Sequence, residues 1–262
     1  MQDRAPRQMQ PREPLQTNTR LERAERAAAL AATHAGRSPQ EVLRAAIRDE
    51  FPGRIGLVSS FGTDSAVLLH MVARIDPYVP VIFLDTDKHF PETIVYREKL
   101  RRDLGLCNMQ IVSPRPAAVR ADDPAGDLHA RNPDLCCHVR KTLPMLAALR
   151  GLDCWITGRK RAQAATRAGL ALYEAQDRWV KLNPLCDWTA DDVAAYMTEH
   201  GLPDHPLKRQ GYLSVGCAPC TRAVQPGEDA RAGRWADSDK TECGIHFVDG
   251  KMVRGPLPEG SR

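Results

Sequence analysis

Residues 54–65 read RIGLVSSFGTDS, and the order of residue types in this stretch decides the fold. The apolar run predicts a buried strand over Arg54–Ser60, and the apolar spacing that follows predicts a helix over Asp64–Ala73. The turn of small residues between them leaves several backbone N–H groups unpaired, and such groups bind oxyanions together with the helix dipole. Taken alone, the turn is equally compatible with an ordinary connection between a strand and a helix.

The alternation of strand and helix continues on both sides of this stretch. Further strands are predicted over Pro80–Asp85, Met109–Val112, Cys154–Thr157 and Trp179–Leu182. Further helices are predicted over Leu21–Thr33, from the N-cap Ser38 to Glu50, from Pro91 to Leu104, from the residue after Cys137 to Leu149, and over Ala190–His200. Short apolar strands that alternate with helices are typical of a parallel sheet in a doubly wound α/β fold.

Composition divides the chain into three parts. Residues 1–37 are a tail rich in Pro, Gln and Arg followed by the first helix, residues 38–215 are the α/β domain, and residues 216–262 are a C-terminal segment. Because the chain beyond Leu202 is rich in Gly, Pro and Arg and has little periodicity, we expect the C-terminal segment to be mobile and to lie over the domain.

Overall composition is that of an ordinary globular protein. Of the 262 residues, 42% are apolar and 27% are charged, and the net charge of +4 is too mild to indicate a protein that binds nucleic acid or membranes. No apolar run approaches the roughly 20 residues of a membrane span, and the first 20 residues contain no apolar core of a secretory signal. We therefore expect a soluble cytoplasmic protein.

Four of the eight cysteines form two close pairs. Cys136 and Cys137 are adjacent, and Cys217 and Cys220 form a CxxC, with 79 residues between Cys137 and Cys217. Four thiolates in two pairs fit either a zinc ion or an iron–sulfur cluster. Adjacent side chains diverge and so suit separate corners of a 4Fe–4S cube better than one tetrahedral ion, but the residues alone leave both groups open. A third interpretation is four unrelated buried thiols.

Two loops resemble those of a known superfamily. Residues 59–65 (SSFGTDS) resemble the S-G-G-x-D-S loop of the PP-loop ATP pyrophosphatases, with Phe61 at the position of the first glycine. We expect its bulky side chain to alter the anion cradle, and the loss of this glycine resembles the sulfonucleotide reductases. Residues 84–93 (LDTDKHFPET) are similar to the L-D-T-G-x-x-x-P-E-T of those reductases, with Asp87 in place of glycine.

The cysteine pairs make the resemblance specific. Residues 136–141 (CCHVRK) and 216–222 (GCAPCTR) resemble the cluster signature of the assimilatory adenosine 5′-phosphosulfate (APS) reductases. This resemblance implies a 4Fe–4S cluster held by Cys136, Cys137, Cys217 and Cys220.

A fifth cysteine resembles the nucleophile of the same family. Residues 242–246 (ECGIH) match its E-C-G-x-H motif, in which the thiolate attacks the sulfur of the substrate, so Cys243 is the predicted catalytic residue. The remaining cysteines, Cys107, Cys154 and Cys186, lie singly in apolar or strand-like contexts, and we expect them to be buried.

Basic residues complete the resemblance. Residues 161–167 are similar to the family's R-x-Q-S-x-T-R, with Ala164 in place of serine, and residues 231–235 match R-x-G-R-W. Several cations suit a substrate that carries a phosphate and a sulfate, and the planar guanidinium makes bidentate contacts with oxyanions. Carried over residue by residue, the substrate-binding set is Ser59, Leu84, Lys141, Gly158, Arg167, Arg231 and Arg234.

The resemblance implies a PP-loop fold of the adenine nucleotide alpha hydrolase-like type and the reduction of APS to sulfite and AMP in sulfate assimilation and cysteine biosynthesis. Cys243 would form an S-sulfocysteine, and thioredoxin or a similar dithiol protein would release the sulfite. We expect no nucleic-acid or membrane partner, and a homo-oligomer is compatible with the sequence.

Three alternatives stay open at this point. A reductase of 3′-phosphorylated APS (PAPS) is the nearest, but such enzymes typically lack both cysteine pairs. A tRNA-thiolating PP-loop protein with a cluster would carry an intact S-G-G-x-D-S loop and a marked basic surface, and the sequence has neither. A zinc-stapled interaction module would have no catalytic activity.

Overall fold

A six-stranded sheet carries the fold, which we describe from a computed structural model over residues 19–164, 167–236 and 240 and the backbone of residues 247–248 and 251–252. Its strands are β1 (Ile55–Val58), β2 (Val81–Leu84), β3 (Met109–Val112), β4 (Cys154–Ile156), β5 (Tyr173–Gln176) and β6 (Trp179–Leu182). They lie in the order β3-β2-β1-β4-β6-β5, and all neighbours are parallel except the antiparallel pair β5 and β6. Leu57 of the central strand pairs with Val81 on one side and with Ile156 on the other.

Helices connect these strands. They are α1 (Arg20–Thr33), α2 (Pro39–Ala45), α3 (Ser65–Ile75), α4 (Pro91–Asp103), α5 (Pro116–Asp122), α6 (Leu128–Arg131), α7 (Pro133–Cys137), α8 (Leu143–Ala148) and α9 (Ala190–Glu199). A π-helical turn over Ala46–Glu50 extends α2, and a second one over His138–Thr142 joins α7 to α8. The capping box predicted at Ser38 is confirmed, because its hydroxyl and the Glu41 side chain each accept a backbone N–H of the other residue.

The sheet is covered by apolar packing on both faces. Val81 and Phe83 belong to the larger core, which includes α1, α2, α3 and α9, whereas Ile82 and Leu84 pack in a smaller core with α8. Successive side chains of a strand point to opposite faces, so these strands are apolar throughout. The prediction of a doubly wound, mostly parallel α/β sheet is confirmed.

Four elements differ from the prediction, and two of them are the short helices α5 and α6, which were not predicted. The helix expected after Cys137 begins earlier, at Pro133, because Asn132 caps it by accepting the Leu135 N–H at 3.0 Å. Strand β5 was not predicted, although Asp177 supplies the left-handed turn (φ 53°) that closes its hairpin with β6. An Asp tolerates this conformation better than most residues, which makes Asp177 the signal in the sequence for that hairpin.

Residues 216–236 of the C-terminal segment lie over the domain. The Ala218 N–H donates to the Lys88 carbonyl at 2.7 Å, and the Trp235 N–H donates to the Cys220 carbonyl at 3.0 Å. Just upstream, the Thr63 hydroxyl donates to the Leu213 carbonyl at 2.9 Å. These bonds fix the segment on the loops that follow β1 and β2. Farther on, β7 (Phe247–Val248) and β8 (Lys251–Met252) form a small antiparallel pair.

None of the helices within the described part of the chain is both long and apolar enough to span a membrane.

Candidate active site

A cleft of about 260 Å³ lies at the carboxyl ends of β1, β2 and β4. The strand order reverses between β1 and β4, and open α/β sheets bind ligands at such a switch point. Its walls come from the loop after β1 (residues 59, 60 and 62–65), from the end of β4 (residues 157–159), from the end of the α/β domain (residues 214 and 215) and from the C-terminal segment (residues 216, 217, 231, 234 and 235). The cleft is therefore built by distant parts of the chain.

The loop after β1 lines the cleft without its phenylalanine side chain. Phe61 has a left-handed backbone conformation (φ 51°), and its ring is fully buried against Phe83 with a centroid distance of 5.6 Å. Because the ring turns into the core, it does not line the cleft, contrary to our expectation that it would alter the cradle. Ser59 lies in the cleft, and its hydroxyl accepts the Phe61 N–H at 3.2 Å.

The loop after β2 also has a non-glycine residue in a left-handed backbone conformation, Asp87. Asp87 is left-handed (φ 57°), and its N–H donates to the Asp85 carboxylate at 3.2 Å. Its own carboxylate lies 3.3 Å from the Arg140 guanidinium, so the residue replaces a glycine and gains an ion pair. Leu84 lines the cleft, and its carbonyl accepts the Nε2–H of His89 at 2.9 Å.

The four predicted cations converge on the cleft. Lys141, Arg167, Arg231 and Arg234 all line it. The Arg234 guanidinium packs directly on Gly216, so any side chain at this position would have to displace the guanidinium from its place in the cleft. The guanidinium also lies 4.5 Å from the centre of the Trp235 ring, and its buried Nε has no hydrogen-bond partner among the described residues.

Arg140, which is adjacent to Lys141, has a different role. It is buried, and its guanidinium donates to the Asp123 carboxylate at 2.8 Å and to the Thr86 carbonyl at 2.9 Å. These bonds fasten the helix that carries the cysteine pair to the loop after β2, while Lys141 faces the cleft.

The two cysteine pairs meet beside the cleft. Cys136, Cys137, Cys217 and Cys220 line one small pocket, which also contacts Lys141. Cys136 and Cys137 are consecutive on α7, and consecutive helical side chains point about 100° apart. Among the described residues, no group of three or more His, Cys, Asp or Glu side chains is arranged to hold a single metal ion.

This arrangement fits a cluster. A cube with iron at separate corners needs thiolates that surround it rather than converge on one point. Burial raises the pKa of Cys136 to about 11, with neighbouring Cys217 adding to the increase.

Polar side chains are buried behind the cleft. Burial lowers the pKa of Lys181 to about 8, and the Glu174 carboxylate, 3.0 Å from Nζ, opposes this shift. Asn183 donates to the same carboxylate at 2.9 Å and accepts the Thr157 hydroxyl at 2.8 Å. Through Thr157, which lines the cleft, this network supports the end of β4.

The other predicted residues fall into three groups. Gly158 lines the cleft. Cys243, the predicted nucleophile, lies outside the described residues. Cys154 and Cys186 are buried as expected, but Cys107 is exposed, because it lies in the turn that precedes β3 rather than within that strand.

The sequence analysis missed several residues of the cleft. Trp155, His89 and Asp64 line it, and Asp64 is held by the buried Lys160 at 2.8 Å. His89 and Asp64 stand inside the two loop motifs, so their place in those motifs was an available signal. Nothing in the sequence distinguishes Lys160 from a solvated lysine.

Comparisons with known proteins agree with this geometry. The family model of the phosphoadenosine phosphosulfate reductase domain matches residues 54–223. An adenosine 5′-phosphosulfate reductase of Mesorhizobium japonicum is 52% identical over 224 residues, which are 86% of this chain and 88% of that protein. One of Streptomyces coelicolor is 44% identical over 79% of this chain and 87% of that protein. A phosphoadenosine 5′-phosphosulfate reductase of Gloeobacter violaceus is 38% identical over 80% and 88%.

Solved structures show the same fold. A phosphoadenylyl-sulfate (PAPS) reductase from Candida auris superposes with a TM-score of 0.66 at 30% identity and covers 76% of this chain and 97% of that chain. An FMN adenylyltransferase from Candida glabrata shares the fold with a TM-score of 0.50 at 14% identity, covering 88% of each chain.

Proposed function

Because the chain belongs to the phosphoadenosine phosphosulfate reductase domain family, we propose that it is an oxidoreductase that reduces adenosine 5′-phosphosulfate to sulfite and AMP in sulfate assimilation and cysteine biosynthesis. One observation carries the proposal: a cleft lined by five cationic side chains, the four predicted ones and Arg159, lies directly beside a pocket lined by four cysteines.

The cleft suits the substrate in both charge and shape. Lys141, Arg167, Arg231 and Arg234 would bind the phosphosulfate, and the buried Nε of Arg234 would donate to one of its oxygens. Ser59 and Gly158 would line the part of the cleft that binds the phosphosulfate. The Leu84 carbonyl keeps a lone pair beside its bond to His89 and would accept the amino group of adenine.

The chemistry would be carried by Cys243. Its thiolate would attack the sulfate sulfur, the S–O bond to the phosphate would break, and AMP would leave with the electron pair, giving an S-sulfocysteine. A thiolate of thioredoxin or a similar dithiol protein would then attack Cys243 Sγ and expel sulfite. The second thiol of that protein would resolve the mixed disulfide, so the dithiol supplies both electrons.

Cys136, Cys137, Cys217 and Cys220 would hold a 4Fe–4S cluster. Bound there, it would add local charge and keep Lys141 in place at the cleft. The bond from Arg140 to the Thr86 carbonyl also holds the turn that carries Lys141 against the loop after β2. A brown protein absorbing near 400 nm (roughly, for iron–sulfur charge transfer) would separate the cluster from zinc.

The three parts of the chain would share this work. Residues 38–215 would form the reductase domain with most of the cleft, and residues 216–262 would supply the CxxC and the nucleophile. Residues 1–37 would be a tail and a helix outside the chemistry, and we place the protein in the cytoplasm.

Selectivity tests the proposal. The second candidate substrate is PAPS, favoured by the similarity to the Gloeobacter and Candida auris reductases. Sulfite release should be assayed anaerobically from APS and from PAPS with reduced thioredoxin. We expect kcat/KM to favour APS by about tenfold or more, which corresponds to about 1.4 kcal/mol of transition-state binding. Equal or reversed preference would overturn the APS assignment.

A further inference from the structure

A chain of hydrogen bonds runs from a buried lysine to one of the cleft arginines. The Lys160 side chain is 3% exposed, and its Nζ lies 2.8 Å from Asp64 Oδ2. Gln163 Nε2 donates to the same oxygen at 3.4 Å, and Gln163 Oε1 accepts from Arg167 Nη1. Asp64, Gln163 and Arg167 line the cleft, whereas Lys160 lies behind it.

The Asp64 carboxylate and the Lys160 backbone N–H, which donates to Gln163 Oε1 at 3.3 Å, together orient the amide of Gln163. An ionised carboxylate only accepts hydrogen bonds, so Gln163 must turn its NH₂ group toward Asp64. Its carbonyl oxygen is then left facing Arg167, where it accepts one guanidinium N–H. This bond holds one corner of the guanidinium.

The ammonium group of Lys160 balances the negative charge of Asp64 beside the cleft. Asp64 stands at the N-cap position of α3, where backbone N–H groups and the helix dipole favour an anionic ligand, and its side chain makes no capping bond. Without a counter-charge, a carboxylate there would repel that ligand. The buried ammonium of Lys160 also needs a partner, because an unpaired buried charge is costly.

We propose that Lys160 and Asp64 are positioning residues that, through Gln163, aim Arg167 at the anionic part of the substrate. The inference rests on the proposed function for the identity of that substrate. It assigns Lys160 no contact with the ligand and no step in the chemistry.

The test is a double-mutant cycle on Lys160 and Asp64 in which the affinity for nucleotide is measured. APS and AMP would be titrated calorimetrically into Lys160→Met, Asp64→Asn and the double variant, each made together with Cys243→Ser so that no turnover occurs. Lys160→Met should weaken APS binding by about tenfold, since it leaves a carboxylate facing the anion. The double variant should recover most of this loss, because the carboxamide introduced by Asp64→Asn can still bind the Gln163 amide and no charge remains. Loss of AMP affinity should be smaller than loss of APS affinity.

The chain offers a matched control in Lys99 and Asp103. These residues form a 2.6 Å ion pair on the exposed face of α4 and line no part of the cleft. The same cycle there should leave APS binding unchanged. If Lys160→Met does not fold, Gln163→Leu keeps the buried ion pair, and it should still weaken APS binding by about fivefold through the loss of its bond to Arg167.

Unchanged APS affinity in both Lys160→Met and Gln163→Leu would overturn the inference. So would a double variant as weak as Lys160→Met alone, because that result would mean that the lysine contacts the ligand directly. Failure of the proposed function would give a different result, because the wild-type protein would then release no sulfite from APS. The binding measurements do not depend on turnover, so they would still test whether Lys160, Asp64 and Gln163 position Arg167.

Discussion

At the residue scale, Phe61 and Asp87 show how this chain does without two glycines of its family's motifs. Both have positive φ, which costs a non-glycine residue about 1–2 kcal/mol. Phe61 offsets this cost by burying its whole ring against Phe83. Asp87 offsets it with a local turn to Asp85 and an ion pair with Arg140. The loops therefore keep the backbone of the motif while the side chains serve the core and the cysteine helix.

A second prediction at the residue scale concerns which cysteine forms the covalent intermediate. Withholding thioredoxin should trap a sulfonate on Cys243, adding about 80 Da, because the covalent intermediate has no acceptor. Cys243→Ser should abolish the adduct and sulfite release while APS binding remains. Intact-mass measurement and peptide mapping check both results.

Cys107→Ser is the matched control for that experiment. Cys107 is the exposed thiol among the described residues. It lies just before β3, at the amino ends of the parallel strands, whereas the cleft lies at their carboxyl ends. We expect the variant to form the adduct and release sulfite at the wild-type rate. An adduct mapped to Cys107, or to any cysteine other than Cys243, would remove Cys243 from the mechanism.

At the element scale, a buried histidine anchors the turn that leads into the C-terminal segment. His205 Nδ1 accepts the Leu207 N–H at 3.2 Å at the start of the 3₁₀ turn over Pro206–Gln210. The proton of the neutral ring is therefore on Nε2, which donates to the Thr93 hydroxyl at 3.0 Å. Burial lowers the pKa of His205 to about 4, although the charge of Glu92 acts in the opposite direction. The fold thus favours the neutral ring.

This shift predicts an acid-sensitive fold. A folded pKa below the unfolded value of about 6.5 means that the stabilising contribution is complete above pH 6.5 and is lost as the pH falls toward 4. Between pH 7.5 and pH 5 the loss should be about 2 kcal/mol, or about 4–8 °C in thermal midpoint. His205→Asn, which can still accept from Leu207, should remove this part of the pH dependence. If the two proteins lose midpoint equally on acidification, His205 is not its source.

At the scale of the whole molecule, the cysteine pocket joins two parts of the chain. One pair comes from α7 and the other from the C-terminal segment, which backbone bonds hold against the loop after β2. The cluster, if bound as proposed, would also tie these parts together. Losing one ligand should then affect both metal content and the cleft.

Cys217→Ser tests that dependence. A hydroxyl is a poorer iron ligand than a thiolate, so we expect loss of most iron and of most sulfite release. Iron analysis and the visible spectrum measure the first, and the anaerobic APS assay measures the second. Cys186→Ser is the control. Cys186 is buried but does not line the cysteine pocket, so we expect this variant protein to keep its iron. Full iron content in Cys217→Ser would show that the four-cysteine assignment is wrong.

The sequence by itself determined the alternation of strands and helices, the doubly wound sheet, and the residue types of the cleft. These follow from local patterns: apolar runs of strand length, capping residues such as Ser38, and motifs whose residues are close in the chain. Lys141, Arg167, Arg231 and Arg234 were predicted because each stands in such a motif, and all four line the cleft.

Only the tertiary structure decided which distant residues meet. The pairing of Lys160 with Asp64 joins residues 96 positions apart, and no local pattern encodes that distance. Whether Phe61 fills the cradle or the core depends on the space beside Phe83, and the exposure of Cys107 depends on where β3 begins. Such outcomes are set by packing and by the pairing of buried charges across the fold, because these interactions depend on distance in space and not on spacing along the chain.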